Sequence, residues 1–209
     1  MARTTDKEAR RKQIIDGALR VFARRGLSNF KMAEIAVEAK VGKGTLYEYF
    51  RTKEELIMGS VSQFMEEFEQ YVAAQIIAVE GPTEKIEKLL EASVEFCLQN
   101  EDRLDALLDF YAVGIPRSGD GPALMELRPR YKSIIQWVGS IIQEGIDQGL
   151  FRPVNKEFVA SMIVAILDGF MFQAAIGAIE LESKYISENV RDTLLKGLLV
   201  KSDNEKIGE

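Results

Sequence analysis

Along almost the whole chain, apolar residues recur at the three-and-four spacing of an α-helix, and no alternating run is long enough for a strand. That pattern restricts the fold to an all-α one. Ile14, Ile15, Ala18, Leu19 and Phe22 form the first stripe. It predicts a helix from about Lys7 to Arg25, stopped by Gly26 at the C′ position. Two short helices are expected over about 32–39 and 43–50, separated by the turn Lys40-Val41-Gly42. Thr52, with Glu55 three residues on, has the form of a capping box and opens a helix to about Val79. After the break at Gly81-Pro82, Thr83 reads as the cap of a helix to about Gln99. Further helices are expected over about 102–113, 123–148, 156–180 and 186–201, roughly nine in all. Gly114–Pro122 reads as a loop, 149–155 as a turn and 202–209 as a frayed tail.

A chain of 209 residues can bury a sizeable core. It has no His and one Cys, Cys97. A Ser-His-Asp triad, a Cys-His dyad, a Cys/His zinc site and an intrachain disulfide are therefore excluded. Gly42-Lys43-Gly44-Thr45 is no phosphate loop, because Val37 and Gly44 stand where that motif needs Gly and Ser/Thr. An enzyme would have to rely on a carboxylate base such as Asp168 or Glu95. No enzymatic activity, metal or cofactor is expected. Cys97 is expected to be a small buried apolar residue. The charged N-terminus is not followed at once by an apolar run, so no secretory signal is expected and the cytoplasm is the expected location. Phe158–Ala178 is long enough to cross a membrane, but Asp168 near its centre would be costly in lipid. A helix packed against other helices is expected there, with no membrane partner.

The net charge of −6 conceals an asymmetry. Residues 1–53 hold 13 Lys/Arg against 6 Asp/Glu, whereas residues 54–209 hold 14 against 27. A basic head on an acidic body suits a polyanion-binding role for the head. Two short helices joined by a tight turn, behind a long apolar helix, match the helix-turn-helix plan. Leu19, Phe22, Ile35, Ala36, Val41, Leu46 and Phe50 would supply its core. The second short helix would then present Lys43, Gly44, Thr45, Tyr47 and Glu48.

At Ala33-Glu34-Ile35-Ala36, Lys43-Gly44-Thr45-Leu46-Tyr47-Glu48-Tyr49-Phe50 and Lys53-Glu54-Glu55-Leu56, the sequence resembles the TetR family of bacterial regulators. The glycine-ended stretch Phe22-Ala23-Arg24-Arg25-Gly26 adds to a resemblance covering roughly residues 10–60. The resemblance implies a dimer on a near-palindromic double-stranded DNA operator. It also implies three DNA-binding helices, here residues 1–53, and a helical ligand-binding and dimerisation domain, here 54–209. Carried onto matching positions, it makes Lys43, Thr45, Tyr47, Tyr49 and Lys53 the DNA-contacting set, with Gly44 beside them on the same helix. Lys31 stands where the family often has a phosphate-contacting Thr or Ser. Lys40 replaces a frequent turn Gly, and Gly42 a frequent Ser or Thr cap.

The effector half is less informative. Phe68, Phe96, Phe110, Tyr111, Trp137 and Phe172 could line a cavity for a lipophilic small molecule, or could be ordinary core. Asp168, alone in its apolar run, could face that cavity, lie at the dimer seam or reach the surface. In a cavity, a carboxylate with aromatic neighbours would favour a cationic ligand, with an acyl compound as the second choice. Ala165, Gly169 and Gly177 would allow close helix approach, which favours the 156–180 helix, with the 186–201 helix, as the dimer seam. The expected function is a ligand-released repressor. The rival is a DNA-binding dimer whose C-terminal half binds a protein or nothing.

Overall fold

The computed structural model describes residues 2–27, 29–100, 103, 122–180 and 183–199. Among them are eight α-helices and no named strand. They are α1 (Ala2–Arg25), α2 (Met32–Glu38), α3 (Lys43–Tyr49), α4 (Lys53–Ile77), α5 (Pro82–Gln99), α6 (Pro122–Asp147), α7 (Lys156–Ala175) and α8 (Ser183–Leu198). The all-α expectation holds. The helix expected over 102–113, the loop after it and the tail 202–209 lie almost wholly outside the described residues. The chain forms two compact units, Met1–Glu69 with Asn100–Met125, and Gln70–Gln99 with Glu126–Glu209.

In the first unit, α1 buries Ile14, Ile15, Ala18, Leu19 and Phe22, the stripe the periodicity identified. Ile35 and Ala36 of α2, Leu46 of α3 and Phe50 close the same core, while Val41 is only half-buried. Phe30 completes it, its ring centroid 4.8 Å from that of Phe22. Burying side chains of this size stabilises the unit by roughly 1.5–3 kcal/mol each before chain entropy is counted. The helices cross closely because Gly17 lacks a side chain. A Cβ there would lie 2.8 Å from the Ala39 Cβ and 2.9 Å from its Cα. Beside that crossing, the Gln13 side-chain amide donates to the Ala39 carbonyl at 2.7 Å.

Two capping expectations need correction. Thr52 does accept from the Glu55 N–H at 3.1 Å, but the Glu55 carboxylate reaches the Arg51 N–H at 2.7 Å, so the reciprocal arm lands one residue early. Thr83 does not cap α5. Pro82, whose missing N–H costs nothing in a first turn, opens the helix, and the Gly81 carbonyl accepts from Lys85.

In the second unit, α5 buries Ile86, Leu89, Leu90, Val94 and Phe96, and both α7 and α8 pack on it. Lys85 of α5 pairs with Glu144 of α6 at 2.8 Å. The turn after α6 folds Phe151 under Gly145 and pairs it with Leu199 in an isolated antiparallel bridge. The expected 156–180 helix stops at Ala175. Gly177 has φ +70°, its N–H donates to the Ala174 carbonyl, and the next N–H donates to Gln173. It is therefore a terminating residue and does not share a helical face with Gly169.

The same pair of bonds ends α6 at Gly149, also with φ +70°, and ends α2 at Lys40, with φ +53°. Only at Lys40 does a side chain occupy the left-handed conformation, which costs an L-residue about 1–2 kcal/mol. Lys40→Gly should raise stability by up to about 1 kcal/mol, part of the relief being offset by the freer unfolded chain. Thermal denaturation should show Tm up by about 2–4 °C. A lowered Tm would contradict this account of the turn.

Candidate nucleic-acid interface and effector surfaces

The face of α3 turned away from the core carries Lys43, Gly44, Tyr47 and Glu48, all exposed. Thr45 and Tyr49 are half-buried at its edges, and Leu46 is the anchor, fully buried. Tyr47 is 40% exposed, high for an aromatic residue with no function at the surface. Gly44 has no intramolecular justification. Its φ is ordinary, and a Cβ there would meet nothing within 4 Å. A glycine that weakens a helix without relieving a clash leaves room for something outside the chain.

Ion pairs set the pose of α2, and through it that of α3. Glu38 of α2 accepts from Arg20 at 2.8 Å and from Arg24, both on α1. These two hydrogen bonds hold its carboxyl below the usual carboxylate range. Glu34 accepts from the Lys31 N–H at 2.9 Å and lies 3.4 Å from Arg25. Three of the arginines behind the head's positive charge are thus spent on holding the helices together. Among the described residues, Lys31, Lys40, Lys43 and Arg51 are exposed and form no ion pair. Lys40 and Arg51 flank α3 and were not in the expected contact set. What marks them is the missing carboxylate partner, and the sequence does not display that.

Lys53, expected in the DNA-contacting set, is also bonded within the head. Its ammonium donates to the Phe30 carbonyl at 2.6 Å and sits 4.6 Å from the Phe30 ring centroid. It pins the start of α4 to the segment before α2, so any phosphate contact it makes comes in addition to a structural role.

The expected effector residues are scattered. Phe110 and Tyr111 lie outside the described residues. Phe68 is half-buried in the first unit. In the second unit, Phe96 is buried, with its ring 5.6 Å from that of Tyr71, while Trp137 and Phe172 are exposed. Asp168 is not partnerless. The Tyr131 hydroxyl donates to it at 3.1 Å. Burial raises its pKa, and the Tyr131 bond only partly reverses that. Cys97 of α5 is fully buried. Its thiol is pushed up to about 12, first by burial and then by the charge of Asp168. Of the three placements expected for Asp168, the surface one is observed: the residue is exposed, with the Tyr131 hydroxyl bonded to it.

Phe158, Met162, Ala165, Gly169, Phe172 and Ile176 follow one another at alternating steps of four and three along α7 and its cap. Phe158 is 68% exposed, Phe172 54% and Ile176 59%, and a Cβ on Gly169 would meet nothing within 4 Å. The opposite face, with Val159, Ala160, Ile163, Val164 and Leu167, is buried. Two faces of the helix are therefore apolar and one of them is uncovered, while Glu157, Ser161 and Asp168 are exposed polar residues. By length and composition it could also cross a membrane. The outward residues described on α8, among them Asp192, Thr193 and Lys196, are polar.

Comparison with known proteins agrees with this geometry. A family model for bacterial regulatory proteins of the tetR family matches residues 14–58. A second, for the C-terminal part of BetI-type transcriptional repressors, matches residues 82–198. The chain is 28% identical over 158 residues to the transcriptional regulator HbdR of Aromatoleum sp. (strain CIB), a match covering 75% of this chain and 66% of that one, just under two thirds. It is 29% identical over 167 residues to the transcriptional regulator BetI of Agrobacterium fabrum, covering 80% and 77%. A transcriptional regulator of Saccharomonospora viridis solved in complex with choline shares the fold, with a TM-score of 0.78 at 20% identity, covering 93% of this chain and 100% of that one.

Proposed function

Because this chain belongs to the TetR family of bacterial regulatory proteins, we propose that it is a cytoplasmic, homodimeric repressor released from its operator by a small molecule. The observation that carries the reading is the outer face of α3, with free cations, an exposed tyrosine and an unobstructed glycine on a helix clamped from behind. Residues 1–53 bind DNA, and residues 54–209 bind the ligand and the second subunit. Two copies of α3 enter successive major grooves of a palindromic site. Lys31, Lys40, Lys43, Arg51 and Lys53 position the head on phosphates, while Thr45, Tyr47 and Tyr49 contact the groove. Gly44 lets the backbone approach. The ligand favours a state with the wrong spacing of the two heads. A hundredfold loss of affinity corresponds to about 2.7 kcal/mol of coupling.

The uncovered stripe of α7 is the dimer seam. Its heptad-like spacing and its small residues at 165 and 169 suit symmetric packing against a second copy. That burial also removes any need for lipid.

The effector is a lipophilic cation whose charge meets Asp168. Among the described residues the carboxylate has a phenol as its hydrogen-bond partner and a pKa raised by burial, and a cation would favour its ionised form. The choline held by the S. viridis regulator and the BetI-type match support this chemistry.

Lys43→Ala and Tyr47→Ala should each weaken operator binding by about tenfold, within the roughly 1–3 kcal/mol of a specific contact, with fold and dimer intact. Gly44→Ala should weaken binding while leaving Tm unchanged or higher. Operator titrations showing wild-type affinity in all three variants would remove α3 from the interface.

Ala165→Glu should produce monomers or insoluble protein. A sedimentation run finding the unmodified chain monomeric at micromolar concentration would refute the seam.

Choline and cationic dyes should raise Tm. Binding should weaken as pH falls through the raised pKa of Asp168, because the protonated acid no longer attracts the cation. Asp168→Asn should abolish the effect. Stabilisation by acyl compounds alone, or equal cation binding by the Asn variant, would overturn the cationic assignment. A filled C-terminal core that takes up neither class would favour the protein-binding rival.

A further inference from the structure

One group of charges in the first compact unit does not balance. Glu38 holds Arg20 and Arg24, and Glu67 holds Lys12 and Arg103. Lys12 also lies 3.5 Å from Asp16. These contacts set four cations against three carboxylates, so one positive charge is left over. Every one of these residues belongs to the first unit.

The excess shows at Arg103. Its Nη1 donates to Glu67 at 2.8 Å and to the Asn100 side chain at 3.1 Å. Its guanidinium carbon lies 4.9 Å from the Phe64 ring centroid, a cation–π contact. Nε and Nη2 are buried with no hydrogen-bond partner. These two nitrogens share one edge of the planar guanidinium, and their N–H bonds on that edge run parallel. Such an edge takes the two oxygens of a carboxylate or phosphate side by side. A buried charged donor without a partner is costly, and native structures leave few of them.

The same arginine stands in the wall of an open pocket of about 580 Å³, together with Asp16, Leu19, Arg20, Ala23 and Arg24 of α1. Small-molecule sites usually fall within roughly 300–1,000 Å³. The Arg103 side chain keeps 23% of its surface exposed, so it belongs to the pocket wall and is not sealed in the core. Arg20 and Arg24 bring two further guanidiniums, and Glu38 uses only part of their donors. Asp16 is the acidic member of the wall, and it is paired with Lys12. Leu19 and Ala23, one turn apart on α1, add an apolar strip.

We propose that this pocket is a second small-molecule site, which takes an oxoanion, a carboxylate or phosphate group, on the Nε–Nη2 edge of Arg103. Arg20 and Arg24 flank the bound group, and the strip at Leu19 and Ala23 receives a short aliphatic part attached to it. The anion supplies the partner Arg103 lacks and offsets the surplus charge. An effector at Asp168 carries the opposite charge, so the two sites do not compete for one ligand.

The test is isothermal titration of the full-length protein with sodium phosphate and, separately, with sodium butyrate. Sodium chloride at matched ionic strength is the reference. At least one of the two oxoanions should bind saturably, and chloride should not. Binding of phosphate alone supports a phosphate site, binding of butyrate alone a carboxylate site, and binding of both the shared chemistry. Arg103→Lys, which keeps the charge and loses the planar fork, should weaken binding about tenfold or more. Ala23→Glu, at an exposed helix position, puts a competing carboxylate in the wall and should weaken it likewise. That variant also serves if Arg103→Lys does not fold. Lys43→Gln, which removes a cation from α3, should bind the anion as the unmodified protein does. The site is overturned by no saturable binding of either anion, or by undiminished binding in Ala23→Glu and folded Arg103→Lys. Loss of binding in Lys43→Gln alone would place the anion on α3 and overturn it too.

Discussion

The DNA-reading half of this protein depends on how closely α1 and α2 can cross. At Gly17 the helices approach to a distance that even one methyl group would prevent. Glu38 then takes both Arg20 and Arg24, and Gln13 takes the Ala39 carbonyl. The contact therefore combines close packing with directional bonds. Exposed ion pairs usually contribute only about 0–1 kcal/mol each. Their value here is orientation: two cations on one carboxylate fix the rotation of α2 about its axis, which apolar packing alone leaves loose. The tight turn at Lys40 passes that rotation on to α3, accepting a left-handed residue to do so.

The same electrostatics divides the basic head into two populations. Arg20, Arg24 and Arg25 are paired within the head, while Lys31, Lys40, Lys43 and Arg51 form no ion pair among the described residues. Cations already paired internally contribute less to counterion release on DNA than their number suggests. Lys53 belongs to neither population alone, because it is exposed and yet ties α4 to Phe30.

The second unit meets a different constraint. α7 has two apolar faces, yet the described chain covers only one of them. A helix of that kind is stable in water only when something covers the other side. The proposed second copy of the chain would satisfy this, because a stripe stepping by four and three is complementary to itself about a two-fold axis. Asp168 of the same helix accepts from the Tyr131 hydroxyl, and burial raises its pKa.

Much of this was legible in the sequence because it is local. Helical periodicity located the elements, Gly26 ended α1 where a left-handed residue was needed, and the Thr-Leu-Tyr-x-Tyr-Phe string marked the head. A stripe's period is set by backbone geometry and survives in any context. What the sequence could not display depends on which residues meet across the chain. Gly17 looks like a weak helix residue until Ala39 is placed against it. Lys53 looks like a free cation until the Phe30 carbonyl is beside it. Gly177 counts as a helix-face residue only if the helix continues, and the bonds to Ala174 and Gln173 end it first. Phe172 could equally be core or surface by composition, and only the rotation of α7 about its axis puts it on the uncovered stripe. Residue type and spacing are properties of the chain, whereas partnership and exposure belong to the packed structure, because they depend on contacts between residues far apart in sequence.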